Sequence, residues 1–295
     1  MNEEIDIVIP WLNPTEQWFS QYKNYCENED PCRIRDLNTI RPTIKSIIKN
    51  LPWVRYIWLI VFDEEQHNNL DWEELKNEKV KFIYHRDILP QEFLPNFNSM
   101  LIEAYIHKIP ELAENFIFSN DDIIFVKPIP KEFYIKNNKI VHRKNTLHKR
   151  IDRFHNTYEY IINSTCKFIK KITGEYIRAD DFHMPSIHKK SLLEFIWSKS
   201  KDEIYNSFTE SRIRKHKNLS INDILQTLEE KYNMCEYDSF PQIKTSPIWL
   251  SDKTSKEDLI KLKNNNHIVC INDGELLTNK HCNEIANYIK EVFNT

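Results

Sequence analysis

The sequence predicts an α/β protein with a largely parallel sheet flanked by helices, and three observations carry that expectation. Strand-like apolar runs alternate with amphipathic helical segments through the first half of the chain. The runs are short and rich in β-branched residues, as buried strands are. The 295 residues, 40% hydrophobic and 12% aromatic, are enough for a sizeable core in one domain spanning 1–295. No repeat, low-complexity segment or linker divides it.

"IDIVIPW" (5–11) reads as a buried strand stopped by Pro10. A helix over 16–27 follows, then a better one over 38–50, with Asn38 as its cap and Ile40, Ile44, Ile47 and Ile48 on one face. Pro42 is tolerable near that helix's start. "RYIWLIVF" (55–62) and "VKFIYH" (80–85) are strands, separated by a short acidic helix around 71–77. "NSMLIEAYIHKI" (98–109) is helical, and a strand over 115–119 runs into the acidic pair Asp121–Asp122. The second half is more helical, with helices expected over 152–172 and 188–200, and 145–235 is read as partly a helical insertion. Ser220 with Asp223, and Ser255 with Asp258, have capping-box spacing. "HIVCIND" (267–273) is a further strand ending in a carboxylate, and 278–293 closes the chain as an amphipathic helix.

Composition excludes several functions. Only Gly174 and Gly274 are glycines. A Walker loop or a dinucleotide fingerprint needs several close together, so neither is present. Any nucleotide must be held by side chains, a metal or both. The net charge of −3 gives no general field for nucleic acid, although "KIVHRKNTLHKRIDR" (139–153) is a dense basic stretch. No apolar run is long enough to span a bilayer. The acidic start "MNEEIDIVIPW" is unlike a signal peptide. The six cysteines include no C-x-x-C pair and read as free thiols. A cytoplasmic protein, peripheral at most at the inner face of a membrane, is expected.

Asp121 and Asp122 close an apolar run and open another, at the carboxyl end of a strand, where α/β sheets bind ligands. Paired carboxylates there suit Mg²⁺ or Mn²⁺ on a diphosphate. An Asn-Asp-Asp turn that only caps backbone groups is the competing reading. "CINDGE" (270–275) repeats the form with Asn272 and Asp273. "RADDFHMPSIHKK" (178–190) holds His183 in an extended turn beside carboxylates, where an imidazole can act as general base. No Cys/His group at ligand spacing points to zinc. Arg33 and Arg35 in "CRIRD", which ends at Asp36, and Arg212 and Arg214 in "ESRIRKHK" are forks suited to phosphate oxygens. Trp11, Asn13 and Trp18 follow the first strand, where an aromatic either stacks on a base or packs in the core.

Four segments taken in order resemble the conserved blocks of the Stealth family, the hexose-1-phosphoryl transferases of bacterial capsule synthesis. They are "IDIVIPWLN", residues 33–130 with "NFIFSNDDIIFVKP", "DFHMPSIHKKSLLEF" and "HIVCINDGE". The resemblance implies a nucleotide-sugar-transferase-like fold. It implies transfer of a sugar 1-phosphate from a UDP-sugar to a glycan hydroxyl, with release of UMP. It also implies catalytic roles for Asp122, His183, Arg214 or Arg212, and Asp273. Donor contacts would come from Asn13, Arg33, Arg35, Asp36, Asn120 and Arg212, and a Mg²⁺ or Mn²⁺ would be held by Asp121, Asp122 and Asp273. An alternative without metal makes Asp122 the base. "WLNPTE" and "VFDEEQ" depart from the family by lacking its loop glycines. The competing functions are a glycosyltransferase releasing UDP and an inactive glycan-binding subunit.

Overall fold

A computed structural model describes residues 3–12, 21–26, 35, 37–64, 73–143, 156–175, 184–238, 240–274 and 276–293. In chain order the elements are β1 (Ile5–Pro10), α1 (Ile40–Asn50), β2 (Ile57–Val61), β3 (Val80–Tyr84), α2 (Ser99–Tyr105), β4 (Asn115–Phe118) and β5 (Ile123–Phe125). Then come β6 (Ile135–Lys136), β7 (Lys139–His142), α3 (Thr157–Thr173), β8 (Ser186–Lys189), α4 (Lys190–Phe208) and α5 (Ile221–Lys231). The chain closes with β9 (Cys235–Tyr237), β10 (Thr245–Trp249), α6 (Lys256–Asn265), β11 (Ile268–Asn272) and α7 (Asn279–Phe293). The acidic segment after β2 forms a short 3₁₀ turn, Glu73–Lys76.

The central sheet has the order β3-β2-β1-β4-β8. Its first four strands are parallel, and β8 runs antiparallel to β4. This is the expected α/β architecture. Succession steps outward from β1 to β2 to β3, then returns to the other side of β1 for β4. That reversal opens a crevice at the carboxyl ends of β1 and β4. A second sheet, β10-β11-β5, and a third, β6-β7-β9, pack beside it. Ile5, Ile7 and Ile9 of β1 join Ile44 and Ile47 of α1 in one core, while Val8 faces a second core built with α2, α4 and α5. Trp11 is also core, 5% exposed.

Three local expectations change. Asn38 does not cap α1: it sits at φ +56°, and Thr39 takes the cap position without a side-chain cap bond. Ser220 precedes α5 as expected, yet its side chain makes no cap bond, and its N–H donates to Thr165 Oγ1 at 2.9 Å. Tertiary packing buries both Ser220 and Asp223, so the local box yields to longer contacts. The helix expected from 188 begins at Lys190, because Ser186–Lys189 pairs with β4 as an edge strand. The Ser255–Asp258 box does form.

The polar stripe on α1 has a structural reason. Ser46 Oγ accepts the Phe125 N–H at 3.0 Å, Asn50 Nδ2 donates to the Phe125 carbonyl, and Thr43 Oγ1 donates to the Asp121 carbonyl at 3.0 Å. The edge of β5 is therefore closed by helix side chains where a neighbouring strand would otherwise stand. Replacing Asn50 by Ala orphans a buried carbonyl, and the expected loss is about 1–3 kcal/mol. Urea unfolding at neutral pH measures it, and an unchanged midpoint contradicts this account.

Candidate active site

The segment Ser119–Asp122 crosses from the central sheet to the second one. Ser119 N–H donates to the Val8 carbonyl at 3.0 Å as the chain leaves β4. The Ile271 N–H donates to the Asp122 carbonyl at 2.9 Å as it enters β5. Because β5 and β11 are antiparallel with Cys270 opposite Ile123, the start of one meets the end of the other. The two Asn-Asp strand ends, Asn120–Asp121 and Asn272–Asp273, thus converge from distant parts of the sequence. Cys270 Sγ lies 3.5 Å from Asp122 Oδ2. Burial first, and then the Asp122 charge, push the Cys270 thiol well up, so it stays protonated.

Asp273 follows β11 and meets Arg35. Arg35 Nε and Nη2 donate to its two oxygens at 2.7 and 2.6 Å, and the two side chains are 9% and 10% exposed. The same guanidinium donates to the carbonyls of Gly274 and Leu277. Gly274 is required there by space: a Cβ would stand 2.4 Å from the Leu250 carbonyl oxygen.

Arg212 and Arg214 lie on a loop held against the start of α2. Phe97 N–H donates to the Arg212 carbonyl at 2.8 Å, and Arg214 Nη2 donates to Ser99 Oγ at 2.6 Å. Since α2 leads into β4, its start stands at the carboxyl end of the parallel strands. The rings there agree: Phe97 packs on Phe62, just after β2, and Phe62 packs on His85, just after β3. So Asn120, Asp121, Asp122, Asp273, Arg35, Arg212 and Arg214 all stand along that edge of the fold. Asn13, Arg33, Asp36 and His183 lie outside the described residues.

Sequence spacing gave no hint of a buried triad further along. His142 of β7, His188 of β8 and Glu229 of α5 bring three possible ligand atoms within 4.8 Å of one another. His142 Nε2 is 2.8 Å and His188 Nδ1 3.0 Å from Glu229 Oε2, and Lys189 N–H donates to Oε1 at 3.2 Å. These are hydrogen-bond lengths. The partners lie 87 and 41 positions apart, so no local motif could show them. Burial opposes the Glu229 charge, but attraction to His188 and hydrogen bonds from both histidines outweigh it and hold the carboxyl at about 2.

The divalent ion implied by the resemblance can be tested against the donors. Asp121 and Asp122 offer oxygen only, and their sulfur neighbour is a neutral thiol, which suits a hard cation such as Mg²⁺ or Mn²⁺. Both oxygens of Asp273 are committed to Arg35 in this conformation. An ion at Asp273 would share these oxygens with the Arg35 guanidinium.

The model of Stealth conserved region 2 matches residues 33–143, a span that contains the Asp pair. Over that span the chain carries the second conserved region of the Stealth family. It is 32% identical over 236 residues to a capsular polysaccharide phosphotransferase of Haemophilus influenzae, fcs1, covering 74% of this chain and 62% of that protein. A capsular polysaccharide phosphotransferase of Streptococcus pneumoniae, WcwK, is 27% identical over 330 residues, covering 99% of this chain and 96% of that one. The chain thus spans less than two thirds of the first relative and nearly all of the second. Among solved structures, a distant likeness reaches the galactosyltransferase LgtC, at TM-score 0.41 and 10% identity over 96% of this chain and 95% of that one.

Its surroundings hold the Glu229 carboxyl at about 2 in the folded protein, against the ordinary 4.5 when unfolded. Its contribution is therefore complete above pH 4.5 and is lost as the pH falls through that value toward 2. The expected size is on the order of 3 kcal/mol. Glu229→Gln should remove it and flatten the acid limb of a stability–pH curve. An unchanged limb would contradict the charged triad.

Proposed function

We propose that this chain transfers a sugar 1-phosphate from a UDP-sugar to a hydroxyl of a glycan acceptor, releasing UMP, in the synthesis of capsular or other surface polysaccharide. The observation that carries the reading is the Asp121–Asp122 turn at the reversal of strand order, meeting a second Asn-Asp strand end beside an arginine fork. The Stealth conserved region and the names of the capsular relatives support the chemistry.

In this reaction the acceptor oxygen forms a bond to the β-phosphorus. The bond from that phosphorus to the bridging oxygen breaks, and UMP leaves with the electron pair. Such transfers depend on alignment and on neutralising charge. Asp121 and Asp122 would hold a divalent ion, which supplies charge neutralisation on the diphosphate. Arg214 neutralises the equatorial oxygens of the transferred phosphoryl group. His183 takes the proton of the acceptor hydroxyl. Arg35 keeps Asp273 in place and, with Asn13, Arg33, Asp36, Asn120 and Arg212, forms the donor contacts. The parts given to His183, Asn13, Arg33 and Asp36 rest on the sequence alone. The protein would work in the cytoplasm, peripheral at the inner face of the membrane, where a growing glycan is held. Among the described residues no helix is long and apolar enough to cross a membrane.

A donor labelled at the β-phosphate tests the reading. The label should enter the acceptor while UMP is released, and release of labelled UDP would overturn it in favour of ordinary glycosyl transfer. Asp122→Asn should lower turnover roughly 10²- to 10³-fold with the fold intact. His183→Ala should lower it about 10²- to 10⁴-fold while donor binding persists, and unchanged turnover would remove His183 from the mechanism.

A further inference from the structure

The loop that carries both candidate arginines is fastened by two asparagines that no sequence motif singles out. Asn98 is fully buried. Its Oδ1 accepts the Met100 N–H at 3.2 Å, which caps α2. Its Nδ2 donates to Asn218 Oδ1 at 2.9 Å and reaches the carbonyls of Ser211 and Ile213 at 3.2 and 3.3 Å. Asn218, also fully buried, accepts the Lys215 N–H at 2.7 Å and donates to the Ser207 carbonyl at 2.7 Å and to Ser211 Oγ at 3.1 Å. Between them the loop passes through Glu210 at φ +59°. A non-glycine residue there costs energy and persists where its surroundings fix it.

The amide chemistry is specific. A buried group must here accept from a helix N–H while offering two N–H donors to neighbouring oxygens, which the amide of Asn or Gln does. Aspartate would turn the donors into acceptors facing two carbonyls and bury a charge.

The contacts also separate the two arginines. Asn98 grips the Ile213 carbonyl, the residue before Arg214, and Arg214 grips Ser99, the residue after Asn98. The two segments are thus cross-tied at Arg214. Arg212 instead lies in the field of Glu92, whose carboxyl it helps to lower after hydrogen bonds from the Glu92 backbone and Tyr205. We propose that Asn98 is a positioning residue acting through Arg214, holding that guanidinium at the carboxyl edge of the central sheet, and that Arg214 rather than Arg212 is the phosphate-neutralising arginine.

This inference rests on the phosphoryl-transfer reading, and a double-mutant cycle on UMP release tests it apart from that reading. Asn98→Ser keeps a capping oxygen for α2 and removes only the amide donors. It should lower kcat about 10²-fold, as expected of a misplaced group. The double variant N98S/R214A should turn over no more slowly than R214A alone. Arg214→Ala should be far slower than Arg212→Ala. Multiplicative losses in the double variant, wild-type kcat in N98S, or a larger loss for Arg212→Ala would each overturn the inference while leaving the transfer reading in place. If N98S fails to fold by circular dichroism, Ser99→Ala replaces it in the cycle, since it removes only the contact to Arg214. Absence of UMP release by the wild-type protein with a panel of UDP-sugars would overturn the transfer reading, and the inference with it.

Discussion

The chain must leave the central sheet after Phe118 and enter a second sheet at Ile123, and this passage governs the rest of the site. Only four residues are available, and each end is pinned by backbone pairing, to Val8 on one side and to Ile271 on the other. Thr43 of α1 holds the middle through the Asp121 carbonyl. A turn this short leaves backbone groups outside the sheet ladders, and Ser, Asn and Asp suit it because their side chains can answer those groups, whatever the function. What makes the position chemical is its place. The crossing coincides with the reversal of strand order, where an α/β sheet opens a crevice. The two carboxylates at that point are what the proposed cation site would use.

Charge at this edge is organised without glycine loops. With two glycines in 295 residues, the backbone cannot cradle phosphates as a Walker loop does. Side chains take that part. Arg35 neutralises Asp273 through a two-point fork, while Asp122 faces a thiol that burial keeps neutral. The arginine-bearing loop is held separately, against the start of α2. An anionic donor needs both: a carboxylate set that accommodates a hard cation and a guanidinium placed independently of it.

How much of this was legible depends on whether the signal was local. The alternating strands and helices were read from β1 through β4 because their apolar periods are intact. The site's acidic members were read because Asp121–Asp122 and Asp273 each break an apolar run. Long-range requirements were not legible. Thr43, Ser46 and Asn50 look like an indifferent polar face of α1, and only the edge of β5 gives them a purpose. The capping role of Ser220 failed for the same reason, as Thr165 claims its N–H from another helix. The His142–Glu229–His188 triad draws on three elements and has no spacing that a sequence pattern could register.

The two ends of the central sheet contrast in a way that bears on function. At the amino end, Asp6 is fully buried yet answered by Arg55 at two points, by Trp58 Nε1 and by the N–H groups of Tyr56 and Ala113. One carboxylate there ties β1, β2 and the approach to β4 into a fixed base, and with five donors on it no valence is left for a ligand. At the carboxyl end Asp121, Asp122 and Asp273 stand in half-buried turns. A sheet fastened at one end by a saturated acid holds the turns at its other end in place. The fold's stability is thereby secured away from the edge where the proposed site lies.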